Sequence, residues 1–342
     1  MTTLDSRKEQ VLKAVVDDYT VTAVPVGSHT LAHRYFAEWS SATIRNELAY
    51  LMETGHLRQP HTSSGRMPSD LGYRYFVDYL MEEVQLDPHV RNRLQRFFDS
   101  LPADIEAILE GTAMILSQMG DSIGIVTAPR TRECKLKHLD LVQLEGKRIL
   151  AIIVLEGNLV RQQPLVLADD VGQEELGELA GRLNSGVRMK SAAELRAYAR
   201  KQRLTGWRLS VVDGVADFMA AYDSHSSTFV VHDGVRNLVK HPEFTDREHL
   251  LPVLELLEES RALSQVLELL SAESSLDVVI GAENPDLHLQ ECSLLMTSYE
   301  TAGQLRGTLG TIGPTRMRYA EVIAGLRFVS QLAGEAISRI YE

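Results

Sequence analysis

Three shortages narrow what this chain can be: few cysteines, no long apolar run and no excess of basic charge. Only two cysteines, Cys134 and Cys292, occur in 342 residues. They stand far apart without CxxC spacing, so reduced thiols are expected rather than a disulfide framework or a zinc site. No stretch approaches the ~18 apolar residues of a membrane span. The opening MTTLDSRKEQ lacks the apolar core of a signal peptide. A cytoplasmic protein without a membrane partner is expected. The formal net charge of −12 argues against a protein that coats nucleic acid, because such binding rests on neutralising phosphates. A local site stays open.

Reactive constellations are missing too. There is no Ser-His-Asp order, no carboxylate pair in a glycine-framed cleft and no metal cluster, so neither catalysis nor a cofactor is expected. GTLGTIGP, Gly307 to Pro314, fits neither G-x-x-x-x-G-K-[ST] nor G-x-G-x-x-G and reads as a strand with close backbone packing. His29 and His33 share a helix face at i, i+4 but bring no third ligand. Aligned surface histidines are the better reading.

What is present is globular, with 44% apolar and 24% charged residues. The length calls for two or three domains. The organising stretch runs from Ser40 to Leu80. Ser40 or Ser41 can cap a helix in which Ile44, Leu48, Leu51 and Met52 recur on one buried face. The opposite face carries Ala42, Thr43, Asn46, Ala49 and Tyr50, flanked by Arg45. Two alanines permit close backbone approach, an amide can pair two-pronged with adenine, and an arginine suits guanine or phosphate. A solvated helix edge is the competing account of Arg45 and Asn46.

Gly55 stops this helix. Leu57 to Pro60 then leads into a tip rich in Ser and Gly, His61 to Pro68, with Arg66 at its far side. Such a hairpin suits a wing along a phosphate backbone, although Arg66 could also merely solubilise a loop. A helix restarts at Ser69 or Asp70 with Tyr73, Phe76, Val77 and Leu80 on one face. Upstream, Ser6 and Glu9 read as a capping box before Val11, Leu12, Val15, Val16 and Tyr19. After a turn at Pro25, Gly27 and Ser28, a second helix sends Leu31, Ala32, Tyr35 and Phe36 inward. The order helix, helix, turn, helix, wing is a winged helix-turn-helix. The candidate DNA contacts are Ser41, Ala42, Thr43, Arg45, Asn46, Tyr50, Arg58, Ser64, Arg66 and Arg74. Residues 1 to 80 hold 8 Lys or Arg against 9 Asp or Glu, so one such domain alone should bind weakly.

Beyond an acidic connector, EEVQLDP, helices are expected at Val90 to Leu101 and Asp104 to Met119. An antiparallel meander over Leu136 to Leu144, Arg148 to Leu155 and Leu159 to Leu167 turns at Glu145-Gly146-Lys147 and Glu156-Gly157-Asn158. Helices follow at Gly172 to Asn184, Ala192 to Arg203 and Val211 to Tyr222, then a strand at Thr228 to His232. One long helix is expected from Asp246 to Ser271, with leucines so broadly spread that they invite a partner helix. Strands at Leu276 to Gly281, Cys292 to Tyr299 and Gln304 to Ile312 precede a last helix, Arg316 to Ile340.

The runs PVGSHTLA, SSATIRNEL, LRQPHTSSGRMPSDLGYRYFVD, CSLLMTSYE and GTLGTIGPTRMRYAEVI resemble the HrcA family of heat-inducible transcription repressors. The likeness covers nearly the whole chain and is most specific in Pro25 to Asp78 and Asp277 to Ile323. Two departures stand out: Tyr35 to Trp39 replaces a turn that usually contains glycine, and Leu71 stands where a lysine is common. The resemblance implies an α+β chain. A winged helix-turn-helix (1–85) is followed by a GAF-like antiparallel sheet domain (86–184 and 276–342) with an inserted, largely helical dimerisation domain (185–275). It implies a homodimer on double-stranded DNA at an inverted-repeat operator before chaperone genes, kept active by the GroEL chaperonin. The alternatives are a regulator that senses a small molecule through the GAF-like domain, and a winged helix used only for protein contacts.

Overall fold

The structure is a computed structural model that describes residues 4–62, 64–129, 134–155, 160–225, 230–270, 276–302 and 305–341. In chain order it contains α1 (Ser6–Thr22), α2 (Ser28–Arg34), α3 (Ser41–Glu53), β1 (Leu57–Arg58), β2 (Met67–Pro68), α4 (Asp70–Tyr75, continued as a π turn to Leu80), α5 (Pro88–Ser100), α6 (Ile105–Gly120) and β3 (Ile123–Thr127). There follow β4 (Leu136–Gln143), β5 (Arg148–Leu155), β6 (Val160–Val166), α7 (Gln173–Gly186), α8 (Ala192–Lys201), α9 (Trp207–His225) and β7 (Val230–Asp233). The chain ends with α10 (Val235–Leu238), α11 (Arg247–Glu258), α12 (Ser260–Leu270), β8 (Asp277–Ile280), β9 (Cys292–Glu300), β10 (Arg306–Pro314) and α13 (Tyr319–Tyr341). It is an α+β chain. None of its described helices is long and apolar enough to cross a membrane. The expected turn Glu156-Gly157-Asn158, and Leu159, Thr228, Ser271 and Gln304 at the ends of expected elements, lie outside the described residues.

Two compact units emerge. The first takes in residues 1–126, 230–299 and 308–333. Its five-stranded sheet has the order β7-β3-β10-β9-β8. β10 runs antiparallel to β3 and β8 antiparallel to β9. Ile123, Ile125, Leu294, Met296 and Ile312 project from one face onto Phe244, Val253, Leu256, Leu257, Leu263, Val266 and Leu267. Gly310 belongs to the glycine run GTLGTIGP; a Cβ there would lie 2.5 Å from the Leu295 carbonyl oxygen, so the run is a closely packed strand.

The expected single helix from Asp246 is two helices, because Glu259 leaves helical geometry at φ −90°, ψ 75°. Each half turns its own stripe to the sheet. Much of the leucine along the sequence is therefore spent on two inward faces, Leu256 and Leu257 on α11 and Leu263 and Leu267 on α12, while Leu251 stays 49% exposed. Leu257, expected at a contact between copies, is 4% exposed in this chain's own core.

The second unit covers residues 127–229, 300–307 and 334–342. β4, β5 and β6 form the expected antiparallel meander. Leu139, Leu141, Ile149, Ala151, Ile153 and Leu155 pack on Leu176, Leu179, Leu183, Leu195, Val211 and Val215 of α7, α8 and α9. The expected limits at 184/185 and 275/276 cut across both units. The meander shares a core with helices that follow residue 185, and α11 and α12 share one with the five-stranded sheet. The outer edge of β4 is closed by side chains of α7. Asn184 binds both the N–H and the carbonyl of Leu139 (2.8 and 2.9 Å), and Gln173 takes the Gln143 N–H (2.7 Å) and donates to the Leu141 carbonyl (2.9 Å). Such capping removes a free strand edge.

Truncating Leu257 to alanine should cost about 2–5 kcal/mol, the range for buried leucines. Leu257→Glu should unfold the chain rather than yield a folded monomer. Circular dichroism with sedimentation reads both.

Candidate nucleic-acid interface

Of the first three helices α1 and α3 start on side-chain caps, whereas α2 starts at Gly27 without one. Asp5, not Ser6, caps α1 by accepting from the N–H groups of Arg7 (3.1 Å) and Lys8 (3.0 Å). A carboxylate there also meets the positive end of the helix dipole, which a serine hydroxyl cannot do as well. Glu9 instead accepts from the Tyr75 hydroxyl at 2.9 Å. Ser40 caps α3 through the Thr43 N–H (3.1 Å) and touches the Thr43 hydroxyl (2.9 Å). Ile44, Leu48 and Leu51 are buried beneath it and Met52 is half-buried.

The turn before α3 needs no glycine. Phe36 stacks on Trp39 with ring centroids 4.5 Å apart and planes within 8°. The Trp39 N–H bonds the Phe36 carbonyl (2.9 Å), and no residue from Tyr35 to Trp39 has a positive φ. The Arg7 guanidinium covers Trp39 at 5.4 Å. Aromatic stacking thus closes the turn without glycine. Tyr35, expected inside, is 42% exposed, its hydroxyl donating to Asp18 at 3.2 Å.

On the outward face of α3, Ala42, Arg45, Asn46 and Ala49 are exposed. Among the described residues, Arg45 and Asn46 have no side-chain hydrogen bond or ion pair. Their neighbours are engaged. Glu47 pairs with Lys8 (3.4 Å) and Arg7 (3.9 Å), and the Lys8 ammonium lies 4.7 Å over the Tyr50 ring. Tyr50 is therefore committed to α1 and half covered, whereas Ser41 and Thr43 lie half-buried at the helix start. Arg7 and Lys8, beside this face, were not among the expected contacts. Their position four and three residues before Val11, the first buried valine of α1, was the available signal.

The hairpin is short and well tied. Leu57 pairs with Pro68 and Arg58 with Met67. Val26 bridges Arg66 through two backbone bonds of 2.7 and 2.8 Å. A Cβ on Gly65 would meet the Pro25 carbonyl oxygen at 2.4 Å, so glycine is what lets the tip fold down there. The Ser64 hydroxyl is spent inside the loop, donating to the His61 carbonyl (2.7 Å) and accepting from the His61 N–H (3.1 Å). Arg66 is half-buried and donates to the Ser64 carbonyl at 3.1 Å, while Arg58 stays exposed.

Arg74 is a correction. It was expected to face DNA, but its side chain is 18% exposed and gripped on three sides. Its Nε donates to Glu283 at 2.8 Å, Nη1 to Asp78 at 3.2 Å and Nη2 to the Val278 carbonyl. The Glu283 carboxylate, first among these, holds its pKa above the ordinary arginine value. Asp70 adds a bond from the Ala282 N–H at 3.0 Å. Arg74 ties α4 to the segment after β8. Leu71, where a lysine would reach outward, is 37% exposed. The candidate interface thus consists of Ala42, Arg45, Asn46, Ala49 and Arg58, with Ser41, Thr43 and Tyr50 at its rim and Ser64 and Arg66 shaping the hairpin. No cluster of three His, Cys, Asp or Glu that could hold a metal occurs among the described residues.

His56 sits under this interface, 4% exposed, with its Nδ1 2.9 Å from the Thr54 hydroxyl and its ring edge-on to Tyr75. Burial lowers its pKa from the ordinary 6.5. The unfolded chain then takes up a proton that the folded chain refuses, so this group's contribution is complete above about 6.5 and falls away as pH drops through that value. Thermal melts between pH 7 and 5 should show declining stability, and His56→Gln should flatten the decline.

The family model described as HrcA protein C terminal domain matches residues 106–323. The heat-inducible transcription repressor HrcA of Pelotomaculum thermopropionicum is 32% identical over 342 residues, covering 98% of both chains. That of Carboxydothermus hydrogenoformans is 33% identical over 98% of both. That of Natranaerobius thermophilus is 33% identical over 97% of this chain and 96% of its own. A solved structure described as a hypothetical protein at 2.2 Å resolution aligns over 98% of both chains with a TM-score of 0.59 and 21% identity, a likeness of fold alone. The chain belongs to the HrcA family, whose members named here are heat-inducible transcription repressors.

Proposed function

We propose that this protein is a transcription repressor of heat-shock genes whose first 85 residues act as a winged helix-turn-helix on an inverted-repeat operator. One observation carries the reading. Arg45 and Asn46 stand exposed and unengaged between two alanines, while Thr43, Glu47 and Tyr50 of the same helix are engaged with Ser40 or with α1. A free guanidinium and a free amide beside small residues are what a helix needs to read base edges in a major groove. Ser41 and Thr43 at the helix start, with Arg58 and the hairpin of Ser64 and Arg66, would hold the flanking backbone. Family membership supports the operator reading, action in the cytoplasm and dependence on the GroEL chaperonin. Operator binding measured with and without chaperonin tests that dependence.

A small-molecule sensor gains nothing from the geometry. The face of the five-stranded sheet turned to α11 and α12, the GAF-like part of this proposal, is filled by its own side chains.

Few cations reach the DNA side, so tight binding would need two copies. The meander offers the surface. Its outer face carries Leu150, Ile152 and Val154 half-buried on β5, with Val142 38%, Val160 54% and Val166 76% exposed beside them. The face is mixed, since Asp140 and Gln162 flank Ile152 and His138 flanks Val154, but its exposed valines and half-buried isoleucine suit a protein contact with a polar rim. It replaces the Asp246 to Ser271 stretch as the proposed contact between copies.

Asn46→Ala should remove about 1–3 kcal/mol of operator discrimination and relax sequence preference, while Arg58→Ala should weaken operator and scrambled DNA alike. Equal losses on both sequences from both variants would contradict this division. Ile152→Glu should give a folded monomer by sedimentation with poor operator binding; a folded dimer would move the interface elsewhere.

A further inference from the structure

We infer that the outward face of α5 is a second nucleic-acid surface, gripping the sugar-phosphate backbone without reading sequence. It rests on the operator-binding reading above and supplies what the α3 face lacks.

Asp87 caps α5 through the His89 N–H at 2.7 Å, and Leu94 and Phe98 turn into the core at 2% and 1% exposure. Arg91 belongs to that inner side, its guanidinium 5.7 Å over the Phe328 ring. On the other side His89, Arg93 and Arg96 recur at i, i+4, i+7, all exposed, with Asn92 and Gln95 beside them along one shallow recess. The lining of the recess contains no carboxylate, and the two aspartates of this face stand at its ends, Asp87 as the helix cap and Asp99 one turn beyond Gln95. Nearby acids are occupied: Glu82 pairs with Lys13 at 2.5 Å and Glu83 with Arg327 at 3.1 Å, and Asp99 accepts from Gln95 at 3.3 Å. Among the described residues Arg93 has no partner, and Arg96 bonds only the Asn92 carbonyl in its own helix, at 3.2 Å.

Two arginines one turn apart repel slightly, and neither gains a contact within the chain. In a protein of net charge −12, a face of guanidiniums, amides and an imidazole complements a polyanion. His89 to Arg96 spans about 10 Å of helix, roughly three phosphates at 3.4 Å of axis each. The start of α5 is also held within one duplex turn's length of α1. Glu82 is fixed to α1 by Lys13, and the six residues from there to Pro88 extend at most about 20 Å, less than the ~34 Å of one duplex turn. With Arg74 withdrawn into its clamp, α5 is where the missing phosphate contacts would come from.

The test uses the full-length chain, a labelled duplex carrying its own upstream inverted repeat and a scrambled duplex, over 50–300 mM salt. Arg93→Gln/Arg96→Gln should weaken both duplexes by the same factor and flatten the log–log salt slope by about two. Arg93→Lys/Arg96→Lys should restore the slope, and its two new lysines should be shielded by DNA from acetylation. An unchanged slope in the glutamine variant, or lysines that acetylate equally with and without DNA, overturns the inference while leaving the α3 reading in place. If the glutamine variant loses its circular dichroism signal, the lysine protection decides. A parent chain that binds neither duplex at low salt overturns both, whereas a loss confined to the inverted repeat would make α5 a base reader and overturn backbone contact.

Discussion

The Arg74 guanidinium, steadied by Asp78 one turn along its own helix, joins α4 to β8 and the segment after it through a carboxylate fork on Glu283 and the Val278 carbonyl. A planar donor set with its acceptors in place fixes orientation as well as distance, which a lysine at the same position would not do. Other contacts repeat the theme. Arg316 donates to the Thr20 carbonyl at the end of α1 (3.1 Å) and to Glu243, and Tyr73 packs on Tyr319 with ring centroids 5.9 Å apart. The N-terminal helices and hairpin are therefore carried on the five-stranded sheet, and α3 is held by a frame drawn from the far end of the chain.

That frame explains the uneven use of charge. Cations near α3 fall into two sets. Arg74, Arg34 and Lys8 are paired and work for the fold, Arg34 with Asp18 at 2.7 Å and Lys8 with Asp5 and Glu47. Arg45 and Arg58 are exposed and unspent. Paired cations offer a phosphate little, because binding would first have to break the pair. A count of 8 basic against 9 acidic residues in this region thus understates how selectively the positive charge is placed. That placement also leaves few exposed cations on the α3 side for the proposed recognition.

Much of the local structure was legible because it depends on near neighbours. The Ile44, Leu48 and Leu51 stripe, the Ser40 and Ser69 caps, the hairpin between Leu57 and Pro68, and the meander with its Glu145-Gly146-Lys147 turn are all set by spacing or by caps within four residues. The misses have the opposite character. Asp5 rather than Ser6 caps α1 because two acceptors compete one residue apart. The apparent long helix hides a break at Glu259 that no glycine marks, and the Pro252 inside it does not end it.

By itself, then, the sequence determined the order of helices, hairpin and strands, the exposed pairing of Arg45 with Asn46 on α3, and the family. Those features lie in periodicity and in short motifs. Only the tertiary structure decided that Arg74 is a clamp, that Leu257 belongs to this chain's own core, and that the meander keeps company with α7 to α9 rather than with the five-stranded sheet. Each of those depends on which distant residues meet; Glu283 lies 209 positions from Arg74, and no local pattern records such an encounter.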